Sequence, residues 1–168
     1  MQSELPPLSR KVWTRPDYLL AFGFGAGLSP KAPGTMGTLV GVLIYLLIRE
    51  LALPLYLLFV AACFILAVYL CERVSKDMDE ADPGGIVLDE MVGYWIVMIA
   101  APAAWYWILI GFLLFRVADI YKPWPIGWLD KNVNGGLGIM LDDVAAAVMA
   151  WVCLNLINAG LMTWWSTG

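Results

Sequence analysis

The chain has 168 residues, of which 61% are hydrophobic and only 14% are charged, with a formal net charge of −4. An ordinary soluble domain is about half apolar and about a quarter charged, so this composition excludes such a domain and favours a membrane protein. The sequence contains no histidine, which removes the commonest base at neutral pH and any phosphohistidine intermediate. The three cysteines form no C-x-x-C pair, so neither a disulfide framework nor a zinc site is expected.

Five apolar runs predict the membrane helices of an all-α, polytopic bundle, and charged residues or prolines separate them. The first, third and fourth runs are short for a full span, so partly re-entrant paths and a count of four spans stay open. At roughly 20 residues per span, the whole chain, 1–168, is expected to form a single integral-membrane domain. The runs cover residues 36–48, 53–70, 91–101, 105–117 and 144–165.

The basic residues predict the orientation of this bundle, because lysine and arginine accumulate on the cytoplasmic side of short loops. With residues 1–20 as a cytoplasmic N-terminal segment, five crossings place nine of the ten basic residues inside and leave only Arg49 outside. Thirteen of the 14 acidic residues, all but Glu50, fall on the same side. The chemistry of the protein is therefore expected at the cytoplasmic face of the membrane.

A glycine-rich loop, GFGAGLSPKAPGTMGT at residues 23–38, precedes the first apolar run. The backbone N–H groups of such a loop can bind an anion where the loop enters a helix, and Lys31 with Thr35 or Thr38 could complete a phosphate site. The G-x-x-x-x-G-K-[ST] pattern of nucleotide-binding loops is absent. The alternative is a flexible interfacial turn whose glycines permit close helix packing.

Two similar segments each carry an adjacent pair of carboxylates. Residues 85–90, GIVLDE, and residues 138–143, GIMLDD, agree at four of six positions, and each is predicted to open a membrane helix. Capping explains one acid per helix, but it explains a second adjacent acid poorly, because crowded carboxylates near apolar surroundings require a cation. Oxygen ligands without histidine or cysteine suit Mg²⁺, and Mn²⁺ is possible. The candidate ligands are Asp89, Glu90, Asp142 and Asp143.

The fourth apolar run ends in FRVADIYKPWPI, residues 115–126, where two prolines limit the helix. Arg116, Asp119 and Lys122 recur at every third residue, so they lie near one face with alternating charge. One interpretation is a self-neutralising ladder of ion pairs whose basic ends reach lipid phosphates. We favour a functional interpretation, in which Arg116 and Lys122 bind phosphate oxygens and Asp119 binds metal or acts on the nucleophile.

Four ordered motifs resemble the phosphatidylglycerophosphatase A family, small bacterial membrane phosphatases of phosphatidylglycerol synthesis. The resemblance implies Mg²⁺-dependent removal of the terminal phosphate from phosphatidylglycerophosphate, giving phosphatidylglycerol and inorganic phosphate. It also implies an active site at the cytoplasmic leaflet of the bacterial inner membrane. The motifs are GFGAGLSPKAPGTMGT at 23–38, VLDEMVG at 87–93, FRVADIYKPWPIGWLD at 115–130 and GGLGIMLDD at 135–143.

The residues and the resemblance together give each candidate a hypothetical role. Without histidine, the attack on phosphorus must come from metal-activated water or from an aspartate, and the sequence favours neither. The candidate catalytic residues are Asp89, Asp119, Asp142 and Arg116. The candidate metal ligands are Asp89, Glu90, Asp142 and Asp143. The candidate phosphate-binding residues are Lys31, Thr35, Thr38, Arg116 and Lys122.

Two other classes of function compete with a phosphatase. A phospho-alcohol transferase of lipid synthesis also uses acids and a divalent metal, but its D-G-x-x-A-R and G-x-x-x-D-x-x-x-D signature is absent. An ion-coupled transporter would use the acids as an ion path, yet they cluster at predicted helix starts instead of lining the midplane. The expected partners are the lipid substrate and membrane phospholipids, without nucleic acid, and the oligomeric state is not predicted.

Overall fold

The computed structural model describes residues 7–167 of the chain, with side chains up to residue 164. The described residues form helices and connecting turns without a β-strand, as the all-α prediction requires. A short 3₁₀ turn, Gly23–Leu28, follows the second helix. The α-helices are α1 (Leu8–Thr14), α2 (Pro16–Ala21), α3 (Pro33–Ile48), α4 (Leu53–Met78), α5 (Leu88–Val97), α6 (Tyr106–Tyr121), α7 (Ile126–Asn132) and α8 (Gly135–Thr167).

The five apolar runs of the sequence lie on five of these helices, α3, α4, α5, α6 and α8. Among the described residues, two helices are long and apolar enough to cross a membrane: α4, with 26 residues, and Gly135–Trp164 of α8, with 30. Helices α3 and α6 have 16 residues each and α5 has 10, so the runs predicted to be short are short. At 1.5 Å per residue, α5 is only about 15 Å long.

Helix α8 occupies the centre of the bundle, where it contacts α4, α5, α6 and α7. Its buried side carries small residues, Ala146, Ala147 and Ala150, which let the neighbouring helices approach closely. Helix α4, in contrast, exposes large apolar side chains such as Leu58 and Ile65, which are 66% and 70% exposed. An apolar surface of this kind suits lipid tails rather than water, so the fold is consistent with a membrane protein.

The starts of α3, α5 and α8 lie at the end of the bundle where α4 and α6 finish, so the five apolar helices alternate in direction along the chain. Hydrogen bonds between helices at this end show the arrangement. Arg116 on α6 donates to Thr38 on α3 over 3.4 Å, and the Gly136 N–H on α8 donates to Glu72 on α4. Arg49 follows α3 at the opposite end. We call the end at which α3, α5 and α8 begin the acidic end, because it carries the carboxylates of the candidate site.

The start of α8 differs from the prediction. The similarity of the two acidic segments predicts that Asp142 and Asp143 open a helix, but α8 begins at Gly135, so both lie about two turns inside it. Gly136 permits the earlier start because its N–H donates to the Glu72 carboxylate, and a side chain there would collide with the backbone of α4. The expectation of a second acidic helix start is therefore wrong.

The N-terminal helices α1 and α2, which hydropathy does not predict, lie against the end of α4. Lys11 Nζ and Arg15 Nη1 are 3.0 and 3.1 Å from Asp77 Oδ2, and the Tyr18 hydroxyl donates to the same oxygen over 2.6 Å. Arg15 also hydrogen-bonds to Asp17, which lowers the pKa of Asp17 below its ordinary value. These ion pairs attach the N-terminal segment to the acidic end of the bundle.

Candidate active site

A cavity of about 220 Å³ lies at the acidic end, between the α4–α5 loop and helices α5 to α8. Charged residues are rarely gathered in a protein interior, so their concentration here marks a candidate functional site. All four predicted metal ligands converge on this cavity, although they come from two helices far apart in sequence. The charged residues that line it are Asp82, Asp89, Glu90, Asp119, Lys122, Asp130, Asp142 and Asp143.

Three of these carboxylates form a compact group that we call the acidic trio: Asp89, Glu90 and Asp143. One oxygen from each lies within 4.8 Å of the other two. Asp89 Oδ1, Glu90 Oε2 and Asp143 Oδ2 are buried, and they have no hydrogen-bond partner among the described residues. Buried carboxylates without partners repel one another and lose hydration, which a bound cation would relieve. Their hard oxygen donors fit Mg²⁺ or Mn²⁺.

Helix capping, the alternative explanation of the first acidic pair, does not account for this geometry. Asp89 and Glu90 lie in the first turn of α5, as predicted. The residue that precedes the helix is Val87, whose apolar side chain forms no capping hydrogen bond. Each acidic residue keeps one carboxylate oxygen unbonded among the described residues. Asp89 and Glu90 therefore each have a carboxylate oxygen with which to bind a ligand.

Asp142 stands apart from the acidic trio, because it is paired with a cation of the protein. Its Oδ2 lies 2.7 Å from Lys122 Nζ, which also hydrogen-bonds to Asp130 on α7. Burial acts to lower the pKa of Lys122, but the hydrogen bonds to Asp130 and Asp142 raise it above its ordinary value, so the ammonium group is charged. Metal ligation by Asp142 stays a prediction, because Lys122 already neutralises this carboxylate.

Arg116 connects three helices beside the acidic trio. Its Nη1 lies 2.6 Å from Asp119 Oδ2, 3.8 Å from Glu90 Oε1 and 3.4 Å from Thr38 Oγ1. Its Nε is buried and has no partner within the part of the chain that the structure describes. The Arg116–Asp119 pair is one step of the predicted ladder, but Lys122, just after α6, pairs with Asp130 and Asp142 on other helices, so the ladder is incomplete. A guanidinium with an unbonded N–H is able to bind a phosphate oxygen.

The glycine loop reaches the site through its backbone rather than through its lysine. Gly34, in the first turn of α3, lies so close to Glu90 that a Cβ atom there would collide with the carboxylate. Thr38 is fully buried and donates to the Gly34 carbonyl over 2.8 Å. Lys31 is exposed, Thr35 is partly buried, and neither lines the cavity. Thr38 does not line the cavity either, but it contacts the site through its hydrogen bond with Arg116.

Two carboxylates of the cavity were not predicted as site residues. Asp130 ends the motif FRVADIYKPWPIGWLD, and α7 brings it to Lys122 after a turn that contains two prolines. Its place at the end of that motif was the signal that could have identified it. Asp82 belongs to an acidic run that composition alone assigns to solvent, yet it lines the cavity. Both residues add negative charge around Lys122 and the acidic trio.

The arrangement combines the two features that phosphate chemistry requires. The acidic trio offers oxygen ligands to a divalent cation, and Arg116 and Lys122 supply positive charge from α6. Phosphoryl transfer spreads negative charge over the equatorial oxygens, so cations and positioning provide most of the catalysis. The site is therefore suited to binding and cleaving a phosphate ester.

A family model described as Phosphatidylglycerophosphatase A matches residues 19–158 of the chain. The chain is 48% identical to phosphatidylglycerophosphatase A of Escherichia coli over 151 residues, which cover 89% of this chain and 88% of that protein. It is 46% identical to the Haemophilus influenzae protein of the same name over 158 residues, 93% of this chain and 97% of that protein. The matched region of the family model contains every predicted site residue.

A third relative carries a different name. A Bacteroides thetaiotaomicron protein, provisionally named as a phosphatidylinositol-3-phosphatase, is 36% identical over 151 residues, 83% of this chain and 94% of that protein. No solved structure matches the chain. The three relatives are thus named for removing phosphate from a lipid headgroup, and the names differ in the headgroup.

Proposed function

Since this chain belongs to the phosphatidylglycerophosphatase A family, we propose that it removes the terminal phosphate of phosphatidylglycerophosphate, giving phosphatidylglycerol and inorganic phosphate in phospholipid biosynthesis. The observation that carries this proposal is the acidic trio, whose buried oxygens are unbonded among the described residues and lie beside Arg116. A site of this charge pattern suits a divalent cation together with a phosphate group. The reaction class is the hydrolysis of a phosphoric monoester.

Mg²⁺ is the proposed cofactor, with Mn²⁺ able to replace it, and its ligands are Asp89, Glu90 and Asp143. The unbonded carboxylate oxygens support this assignment. Asp142 would join them only after it releases Lys122, which would then be free to bind phosphate. When bound, the cation would supply positive charge that stabilises the phosphoryl oxygens in the transition state.

The residues around the cation site have separate roles in this proposal. Arg116 binds one phosphate oxygen through N–H groups that include the unbonded Nε, and Lys122 binds another. Asp119, 2.6 Å from Arg116, either accepts the proton of an attacking water or attacks phosphorus itself. Lys31 and Thr35 lie outside the cavity, so they would contact the phosphate only after a movement of the glycine loop.

The acidic end is proposed to face the cytoplasm in the inner membrane of a bacterium. The alternating directions of the long helices support a multi-pass bundle of five helices, in one domain of residues 1–168 with 1–20 on the cytoplasmic side. Nine of the ten lysines and arginines then lie on the cytoplasmic side, with Arg49 at the opposite end. The partners in this arrangement are the lipid substrate and the surrounding membrane phospholipids.

Phosphate release by the detergent-purified protein tests the proposed function. The substrates are phosphatidylglycerophosphate, phosphatidic acid and phosphatidylinositol 3-phosphate, each with Mg²⁺, with Mn²⁺ and with excess chelator. We expect release chiefly from phosphatidylglycerophosphate with either metal, and none with chelator. A preference for phosphatidylinositol 3-phosphate would assign the activity for which the Bacteroides relative is named. No release from any lipid, in folded protein, would favour the phospho-alcohol transferase or the ion-coupled transporter.

Two variants distinguish loss of the metal site from a general effect of removing an acidic residue. Asp89→Asn should abolish phosphate release, whereas Asp79→Asn, at an exposed acid outside the cavity, should retain it. Binding of Mn²⁺, followed through the electron paramagnetic resonance signal of the free ion, should be lost in the first variant and kept in the second. Undiminished Mn²⁺ binding or turnover by Asp89→Asn would remove the acidic trio from the metal site.

A further inference from the structure

A groove of about 190 Å³ runs between α6 and α8 on the outer surface of the bundle. Its floor includes two small buried residues, Ala118 and Ala150, which leave space between the larger side chains around them. A concave apolar surface of this kind can accommodate a hydrocarbon chain. Its lining includes Leu114, Val117 and Ala118 from α6, with Met149, Ala150 and Cys153 from α8.

The groove continues the acidic cavity along the same two helices. On α8, Met149 follows Asp142 by seven residues and Cys153 follows Met149 by four, spacings that return to one helix face. On α6, Ala118 lines the groove four residues before Lys122, whose ammonium group hydrogen-bonds to Asp142 over 2.7 Å. The Lys122–Asp142 pair therefore lies on the side of the cavity that is nearer to the groove.

The distance from Asp142 to the far end of the groove corresponds to one leaflet of a bilayer. Cys153 lies eleven residues beyond Asp142 on α8, which is about 16 Å along the helix axis. The hydrocarbon core of a bilayer is about 30 Å thick, so one leaflet contributes about 15 Å. An acyl chain that began beside Asp142 would reach the middle of the bilayer near Cys153.

A second apolar groove, of about 180 Å³, lies between α3, α4 and α5 and is a weaker candidate. Leu88, Met91 and Trp95 line it from α5. At about 100° per residue, these three side chains lie on the side of α5 opposite to Asp89 and Glu90. The body of α5 thus separates the second groove from the carboxylates, whereas the α6–α8 groove shares helix faces with the cavity.

We propose that the α6–α8 groove binds one acyl chain of the phosphorylated lipid and so sets the depth at which its phosphate meets Lys122 and the acidic trio. This assignment rests on the proposed phosphatase function. Lipid tails are as apolar as the groove, so the gain comes from packing and orientation rather than from hydrophobic transfer. Orientation matters because a misplacement of about 1 Å at the reacting atoms can cost about a hundredfold in rate.

Filling the groove tests this proposal. Cys153→Phe places a ring in the groove, and Val148→Phe places the same ring at an exposed position of α8 outside it. Each variant is assayed with long-chain phosphatidylglycerophosphate and with its dihexanoyl analogue, whose chains are too short to reach Cys153. We expect Cys153→Phe to lower kcat/KM roughly tenfold for the long-chain lipid only, and Val148→Phe to match the wild type with both.

Two outcomes of this assay would overturn the groove assignment: equal losses on both substrates, or full activity of Cys153→Phe on the long-chain lipid. Hydrolysis of neither substrate by the wild type would instead contradict the proposed function. A measurement independent of turnover then decides whether the groove binds the lipid.

Photo-crosslinking provides that measurement. Met149 and Cys153 line the α6–α8 groove, and Phe59 and Cys63 line the second groove. A long-chain, non-hydrolysable phosphonate analogue of phosphatidylglycerophosphate with a diazirine near the end of one acyl chain, irradiated with the protein in phosphatidylcholine nanodiscs, should attach to the α8 peptide that contains Met149 and Cys153. Attachment to the α4 peptide that contains Cys63, to both peptides equally or to neither would overturn the proposal, whether or not the wild type releases phosphate.

Discussion

Replacing one carboxylate of the acidic trio should stabilise the metal-free protein while it abolishes turnover. Asp89, Glu90 and Asp143 each hold an oxygen within 4.8 Å of the others. At an effective dielectric constant of about 20, two unit charges at that distance repel by roughly 3.5 kcal/mol. Asp89→Asn removes two of the three repulsive pairs, which amounts to roughly 7 kcal/mol of unfolding free energy if all three carboxylates are charged, and any proton shared by the trio reduces this gain.

Thermal unfolding of the detergent-purified protein, first in excess chelator and then in Mg²⁺, measures this effect. We expect Asp89→Asn to unfold several degrees above the wild type in chelator, since about 1 kcal/mol shifts the midpoint by roughly 2–4 °C for a chain of this size. Added Mg²⁺ should stabilise the wild type, because the folded state binds the ion, and should leave Asp89→Asn unchanged.

Asp142→Asn is the matched control, because Lys122 Nζ lies 2.7 Å from Asp142 and already neutralises it. Its substitution removes an ion pair instead of a repulsion, so this variant should be no more stable than the wild type in chelator. The reasoning would be refuted by an Asp89→Asn protein that is less stable than the wild type in chelator and still responds fully to Mg²⁺.

Gly34→Ala should reduce phosphate release sharply, because the added methyl group would collide with a carboxylate of the trio, whereas Gly160→Ala, where it meets nothing within 4 Å, should keep the wild-type rate. Arg116→Ala should raise the KM for the lipid roughly tenfold to a hundredfold, with partial recovery in Arg116→Lys; unchanged kinetics would remove it from the phosphate site. Asp17→Asn should lower the unfolding temperature at neutral pH. Because Arg15 lowers the pKa of Asp17, the contribution of this pair is complete above the unfolded value of about 3.9 and is lost as the pH falls through the lower folded value. Thermal unfolding at neutral and at strongly acid pH checks this. An equal loss of unfolding temperature in Asp17→Asn at both would contradict it.

The long helices were predictable because each contains a run of consecutive apolar residues that hydropathy detects. Helices α1, α2 and α7 were not predicted, and they have only seven, six and seven residues. Helices of this length are marginal on their own, so tertiary contacts hold them, such as the 3.0 Å ion pair between Lys11 and Asp77. Contacts between residues so far apart in sequence leave no local pattern to find.

The residue types of the site were predictable, but their pairing was not. Asp142 and Asp143 are neighbours in sequence, and the prediction makes both of them metal ligands. Adjacent residues on a helix point about 100° apart, so Asp143 joins the acidic trio while Asp142 meets Lys122. The rotation of α8 determines which acid faces which partner, and that rotation is set by packing against α4, α5 and α6. The distinction therefore required the assembled bundle.

Because three of the helices are short, the thickness of the surrounding bilayer should affect the activity of the enzyme. Helices α3 and α6, with 16 residues each, are about 24 Å long, against a hydrocarbon core of about 30 Å. In the proposed multi-pass arrangement, the membrane must thin around them, at a cost that rises with the length of the lipid chains. Phosphate release in bilayers of increasing chain length should therefore fall beyond an optimum, and an equal rate in all of them would show that the fold tolerates the mismatch. The lipid composition of the membrane would thus regulate an enzyme that itself contributes to that composition.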